Sequence, residues 1–333
     1  ERYEPGREAA ERASAALHRM HDPSRDLALA SNLAMMESLH GHFDQALAGH
    51  LAVLARAEEV LGPTHRQVAR IHMNVAAVLS QLGRVDEAAE HAAAGLAIQQ
   101  AEHPGPHPVS VDMLNTVGAL EVHRGDPVRA RALLEQALTM AEATMLASDP
   151  TTAGILGNLG NLDMQAGDLE AAIERFDRAV AIYTAVFGRE HPDVSLAMHN
   201  LAGARDKAGQ TEAAIALYRE SLAIRTRTSG AEHPGTANTM HNLGLMLTNH
   251  GGLDEGIALL ERALELRERA NVDPFRRASS SFMLAKAYDR RGERTRAREL
   301  AERAAVLLRG IAPRKAEILT AVEAWLAVHP SAT

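Results

Sequence analysis

The chain has 333 residues, of which 46% are apolar but only 3% aromatic, and a net charge of −8. It has no cysteine, which excludes disulfides, thiolate metal sites and a cysteine nucleophile. No apolar run approaches membrane-spanning length and no hydrophobic signal core opens the chain, so no membrane partner is expected and the cytoplasm is the expected location.

Alanine and leucine supply most of the apolar content, which suits close helix packing better than sheets. Lysine occurs only at Lys207, Lys286 and Lys315, an arginine-rich bias that points to a GC-rich bacterial source. Residues 267–315 hold 14 basic and 6 acidic side chains. With only Phe275, Phe282 and Tyr288 as aromatics, that run reads as the solvated face of terminal helices, and no nucleic acid is expected. The opening at Glu1, without methionine and in mid-helix, points to a piece of a longer protein.

Taken in chain order, residues 1–21 read as the second helix of a partial repeat. From there the chain repeats itself. Gly41, Gly83, Gly125, Gly167, Gly209 and Gly251 are spaced by 42, and Gly292 follows by 41. Eight residues before these anchors stand Leu33, Val75, Val117, Leu159, Leu201, Leu243 and Leu284, each followed by alanine or glycine. Five after the anchors stand Ala46, Ala88, Ala130, Ala172, Ala214, Gly256 and Ala297. Seven units in register over residues 22–310 define a solenoid.

Each unit reads as a helix pair. Apolar residues at offsets −11, −8 and −4 from the anchor follow helical spacing, and the anchor glycine ends the first helix in a left-handed turn. The second helix carries the small residue at +5. Gly62, Gly188 and Gly230 stop three of these second helices. His65, His107, His191 and His233 lie 18 residues before their anchors, with Asp149 in the fourth unit. Pro108, Pro150, Pro192 and Pro234 follow as first helical residues. Successive histidines are a whole repeat apart, beyond the reach of one metal ion, so they mark helix starts. Residues 311–333 read as a capping helix and tail, with Leu319, Val322, Trp325 and Leu326 on the buried stripe.

The Leu–small, anchor-Gly and Ala offsets resemble the tetratricopeptide repeat. The 42-residue unit with Gly-x-x-His-Pro and Asn-Leu resembles the variety found in kinesin light chains and many bacterial proteins. The resemblance implies an all-α fold, a right-handed superhelical solenoid of antiparallel helix pairs. Tyrosine, which the family places at −4, is kept only at Tyr288, while Leu79, Leu247 and charged residues occupy the other units. Looser packing is expected in those units. The close Ala321-Val-Glu-Ala-Trp-Leu-Ala-Val-His-Pro330 is similar to the end of repeat regions that follow serine/threonine kinase domains in myxobacteria-type proteins.

No nucleotide loop, zinc-protease motif, nucleophile elbow or kinase motif is present, so no catalytic residues, cofactor or metal are expected. His40-Gly-His42 near Asp44 straddles an anchor glycine and reads as an exposed turn.

The resemblance implies a non-catalytic scaffold that binds a protein or an extended peptide, with the first helices lining a concave groove. The alternative is a regulatory or oligomerising region of a larger bacterial signalling enzyme; the sequence leaves oligomeric state open. Contacts are implied near −13, −10, −9, −6 and −2. At −9 stand Asn32, Asn74, Asn158, Asn200 and Asn242, whose carboxamides either hold a peptide backbone or bridge neighbouring helices. Asn115, His199 and His241 at −10, and Asn161 at −6, complete the set. Gly154 and Gly157 put two costly glycines into one helix. They are either a tolerated weakness or a hollow flanked by Asn115, Asn158, Asn161, His199 and Asn200.

Overall fold

The computed structural model describes residues 23–144, 148–270, 272–311 and 316–329. The partial repeat expected at residues 1–21 lies outside the described residues. Those described form fifteen α-helices and no strand. They fall into two compact units that meet in sequence at Ala166 and Gly167.

The first unit holds α1 (Pro23–Leu39), α2 (Phe43–Leu61), α3 (Arg66–Gln81), α4 (Val85–Glu102), α5 (Pro108–Arg124), α6 (Pro127–Ala143) and α7 (Pro150–Ala166). Helices α1/α2, α3/α4 and α5/α6 pack as consecutive pairs, and α7 packs on α6 and α5. The second unit holds α8 (Leu169–Phe187), α9 (Pro192–Lys207), α10 (Thr211–Thr228), α11 (Pro234–Asn249), α12 (Leu253–Arg269), α13 (Pro274–Arg291), α14 (Arg294–Arg309) and α15 (Ala316–Val328). Here α9/α10, α11/α12 and α13/α14 are the pairs, α8 lies against α9, and α15 covers α14.

All seven anchor glycines have positive φ, from 73° at Gly83 to 100° at Gly251. That conformation strains any residue with a Cβ, which explains why glycine recurs at this offset. The small residues at −7 and +5 meet in α5/α6, where a Cβ on Gly118 would lie 3.5 Å from the Ala130 carbonyl oxygen. In α11/α12 both are glycine, and a Cβ on Gly256 would lie 2.7 Å from the Gly244 carbonyl oxygen. The core follows the expected stripes: Val75, Ala76, Leu79, Ala88 and Val117 are buried in the first unit, Leu201, Ala202, Ala214 and Leu243 in the second.

Charged residues at −4 do not loosen the packing as expected. Glu121 and Asp163 are buried, Glu121 lying 3.2 Å from Arg129 Nε and Asp163 2.7 Å from Arg131 Nη1. Arginines of the second helices neutralise carboxylates where the family has tyrosine, and Tyr288 keeps the family arrangement, fully buried.

Candidate functional site

In six repeats the first helix starts at a cap that the sequence marks by position. His65, His107, His191 and His233 accept a hydrogen bond through Nδ1 from the backbone N–H two residues on, at 3.2, 3.1, 3.2 and 3.0 Å. Asp149 and Asp273 do the same through Oδ1. The ring nitrogen replaces the oxygen of an ordinary N-cap.

Beyond the cap, offsets −13, −9, −6 and −2 fall on one helical stripe. None of these positions is buried in any of the seven repeats. On this stripe lie Asn32, Asn74, Asn158, Asn200 and Asn242, with Asn161 and Gly154 beside them.

Offset −10 is the edge facing the following repeat, and there side chains reach across. Asn158 Nδ2 donates to Asn115 Oδ1 at 2.9 Å in the first unit. In the second, His199 lies 3.1 Å from Thr239 Oγ1 and 3.3 Å from Asn242 Nδ2, its ring edge-on to Tyr218. His241 is buried and lies 3.2 Å from Ser280 Oγ. Burial first, then Arg225, lowers the His199 pKa to about 4. Burial, then Arg267, lowers that of His241 to about 3. Both rings are therefore neutral packing elements near neutral pH.

The site residues thus divide. Asn115, Asn158, His199, His241 and Asn242 spend hydrogen bonds on joining successive repeats. Asn32, Asn74, Asn161 and Asn200 make no hydrogen bond among the described residues and remain accessible. Gly157 belongs with the second set, because a Cβ added there meets nothing within 4 Å. Among the described residues, no three histidines, aspartates or glutamates converge as metal ligands, and no helix is long and apolar enough to cross a membrane.

The sequence stripes did not point to Arg225 and Arg267, both at offset +16 on second helices and both buried. Arg225 Nε donates to Ser195 Oγ at 3.4 Å. Arg267 Nη2 donates to Asn238 Oδ1 at 2.9 Å and Nη1 to the Arg276 carbonyl at 3.2 Å and to Ser280 Oγ. Burial, then the neighbouring Arg276, lowers the Arg267 pKa to about 10.

Paired helices with turn glycines and an accessible first-helix stripe define a helical repeat protein. The tetratricopeptide repeat model matches residues 25–101, 67–143, 151–227, 208–251 and 236–308, and the chain belongs to that family. No curated protein matches it in sequence. Among solved structures it is similar to a Podosopora anserina protein described as a kinesin light chain with nearly identical TPR-like repeats. That match is 26% identical, has a TM-score of 0.52, and covers 62% of this chain and 98% of the other. BtubC (BKLC) from P. vanneervenii is 23% identical with a TM-score of 0.58, covering 69% and 92%. The Rap conjugation gene regulator of plasmid pLS20, solved in complex with the Phr* peptide, is 17% identical with a TM-score of 0.60, covering 86% and 76%.

Proposed function

We propose that the chain is a non-catalytic scaffold that holds an extended peptide segment of a partner protein along its first-helix stripe. The observation that carries this reading is the division of the asparagines. Asn74 and Asn161 in the first unit, and Asn200 in the second, keep donor and acceptor unspent at accessible positions, as holding a peptide main chain requires. The Phr* complex of a protein with this fold supports the class of ligand but not its identity. Offset −10 carries no lysine or arginine, so an internal segment is preferred to a free C-terminal carboxylate.

The test uses a peptide selected from a random library displayed against the chain. Asn200→Ala weakens its binding by about 0.5–1.5 kcal/mol, one hydrogen bond. Gly157→Leu fills the open space and weakens it at least roughly tenfold, about 1.4 kcal/mol, without lowering thermal stability. Amidating the peptide's C-terminus leaves the affinity unchanged. Full affinity in both variants overturns the reading.

The closing sequence from Ala321 favours a second reading, in which this region regulates a serine/threonine kinase domain of a longer protein. The coding sequence ahead of Glu1 tests that: a kinase domain there supports it, and any other domain overturns it.

A further inference from the structure

Arginines of the second unit are, as a rule, neutralised. Arg262 and Arg269 share Glu232 and Glu265, Arg291 has Asp254 and Glu293, Arg296 has Glu261, and Arg303 has Glu268. Arg225, Arg277, Arg290, Arg294, Arg267 and Arg276 have no carboxylate within ion-pair distance among the described residues, and the last two come together. Both guanidiniums instead point at one neutral oxygen, Asn238 Oδ1, at 2.9 Å from Arg267 and 3.5 Å from Arg276.

Arg267 is 6% exposed, and its Nε is buried with no hydrogen-bond partner. A buried cation without a counter-charge is costly, and two sharing one acceptor are more so. His241, the other titratable group against Arg267, is neutral and supplies no negative charge.

Asn238, Arg267 and Arg276 line an open cleft bounded by the start of α11, the end of α12 and the start of α13. Pro234, Ala237, Leu266 and Val272 form its apolar walls. Arg276 is exposed at its edge, with most of its N–H groups unused. The preceding repeat lacks this arrangement. There Arg225 occupies the place of Arg267, but Gly235 stands where Arg276 does and Leu196 where Asn238 does. A planar fork over a fixed buried charge, with apolar walls for methylenes, matches a carboxylate on a short aliphatic stem.

We propose that this cleft binds the side-chain carboxylate of an aspartate or glutamate in a partner peptide, with Arg276 forked onto the carboxylate and Arg267 fixing the charge behind it. The site adjoins the first-helix stripe at Asn238, offset −13, and holds whether or not that stripe binds a main chain.

The probe is an end-blocked peptide, acetylated and amidated, whose only charges are two glutamates, titrated into 15N-labelled protein. The Nε–Hε signals of Arg267 and Arg276 shift saturably. Arg276→Gln, a surface change that leaves the fold intact, weakens the binding at least tenfold, and Arg262→Gln leaves it unchanged. The same peptide with glutamines does not bind. Absence of shifts at millimolar peptide, or equal binding by Arg276→Gln, overturns the proposal. Saturation by inorganic phosphate without any by the glutamate peptide overturns it too, and reassigns the cleft to a phosphoryl group.

Discussion

At the scale of single residues, histidine has two jobs in this chain. The first is capping. His107 Nδ1 takes the Val109 N–H at 3.1 Å, as Asp149 Oδ1 takes that of Thr151 at 2.8 Å. His107→Asp therefore keeps the acceptor and adds charge favourable to a helix start, whereas His107→Ala loses the cap at about 0.5–2 kcal/mol. Urea unfolding of both variants distinguishes them, and an equal loss would remove the capping role. The second job is neutral packing. His199 and His241 titrate near 4 and near 3 when folded, against 6.5 when free. Between those values the unfolded chain binds protons that the folded chain does not, so stability falls as pH drops below 6.5 and through 4. Burial lowers the pKa of His50, His72 and His91 in the same direction. Each of the two central histidines contributes on the order of 3–5 kcal/mol to that loss once the pH is below its folded value. His199→Gln flattens the loss measured by thermal melts between pH 7 and pH 4. A slope identical to the parent's would contradict it.

At the scale of the helix pair, two glycines that look alike in sequence call for opposite predictions. Gly157 faces open space in mid-helix, so Gly157→Ala stabilises by about 1 kcal/mol. Gly256 sits at the +5 offset where the other six repeats have alanine, yet a Cβ there meets the Gly244 carbonyl oxygen at 2.7 Å and Thr248 Cγ2 at 2.7 Å. Gly256→Ala must push α11 and α12 apart and lowers the melting temperature, despite matching the repeat consensus. A rise in both variants would show that the pair relaxes freely. The contrast also marks what the sequence could disclose. Anchor glycines, the small residues at −7 and +5 and the apolar residue at −8 recur seven times, and recurrence at fixed offset identifies a packing role without coordinates. The caps were visible as positions, but the acceptor role of Nδ1 depends on a backbone geometry that the letters His-Pro do not encode. The asparagine ladder was visible too, while its division into bridging and unspent members depends on which neighbour offers a partner. Arg267 and Arg276 left no such trace. Offset +16 reads Ala57, Gln99, Ala141, Tyr183, Arg225, Arg267 and Leu308, so no pattern singles out the repeat where Arg267 and Arg276 converge on a neutral oxygen.

At the scale of the whole molecule, a repeat array has no central core. Each repeat buries its neighbour's face, and a terminal repeat needs a lid. In the second unit α15 takes that place: Val322 is fully buried against Phe282, Ala301 and Leu308, with Leu319, Trp325 and Leu326 around it. Trp325 meets Phe282 edge-on at 6.1 Å, and Arg298 Nη1 donates to the Leu326 carbonyl at 3.3 Å. The buried partners are small or singly placed, so one change in α15 should uncover the whole face. Val322→Asp puts an unpaired carboxylate into that contact, and the helix detaches rather than bury it. Because coupling in such arrays runs between neighbours, the damage should stay local. Hydrogen exchange speeds up in α13 and α14, while α1 to α6 keep their protection. Fluorescence of Trp325, the only tryptophan, shifts to the red as it enters water. If α1 to α6 lose protection together with α14, stability is shared along the chain and α15 is more than a local lid.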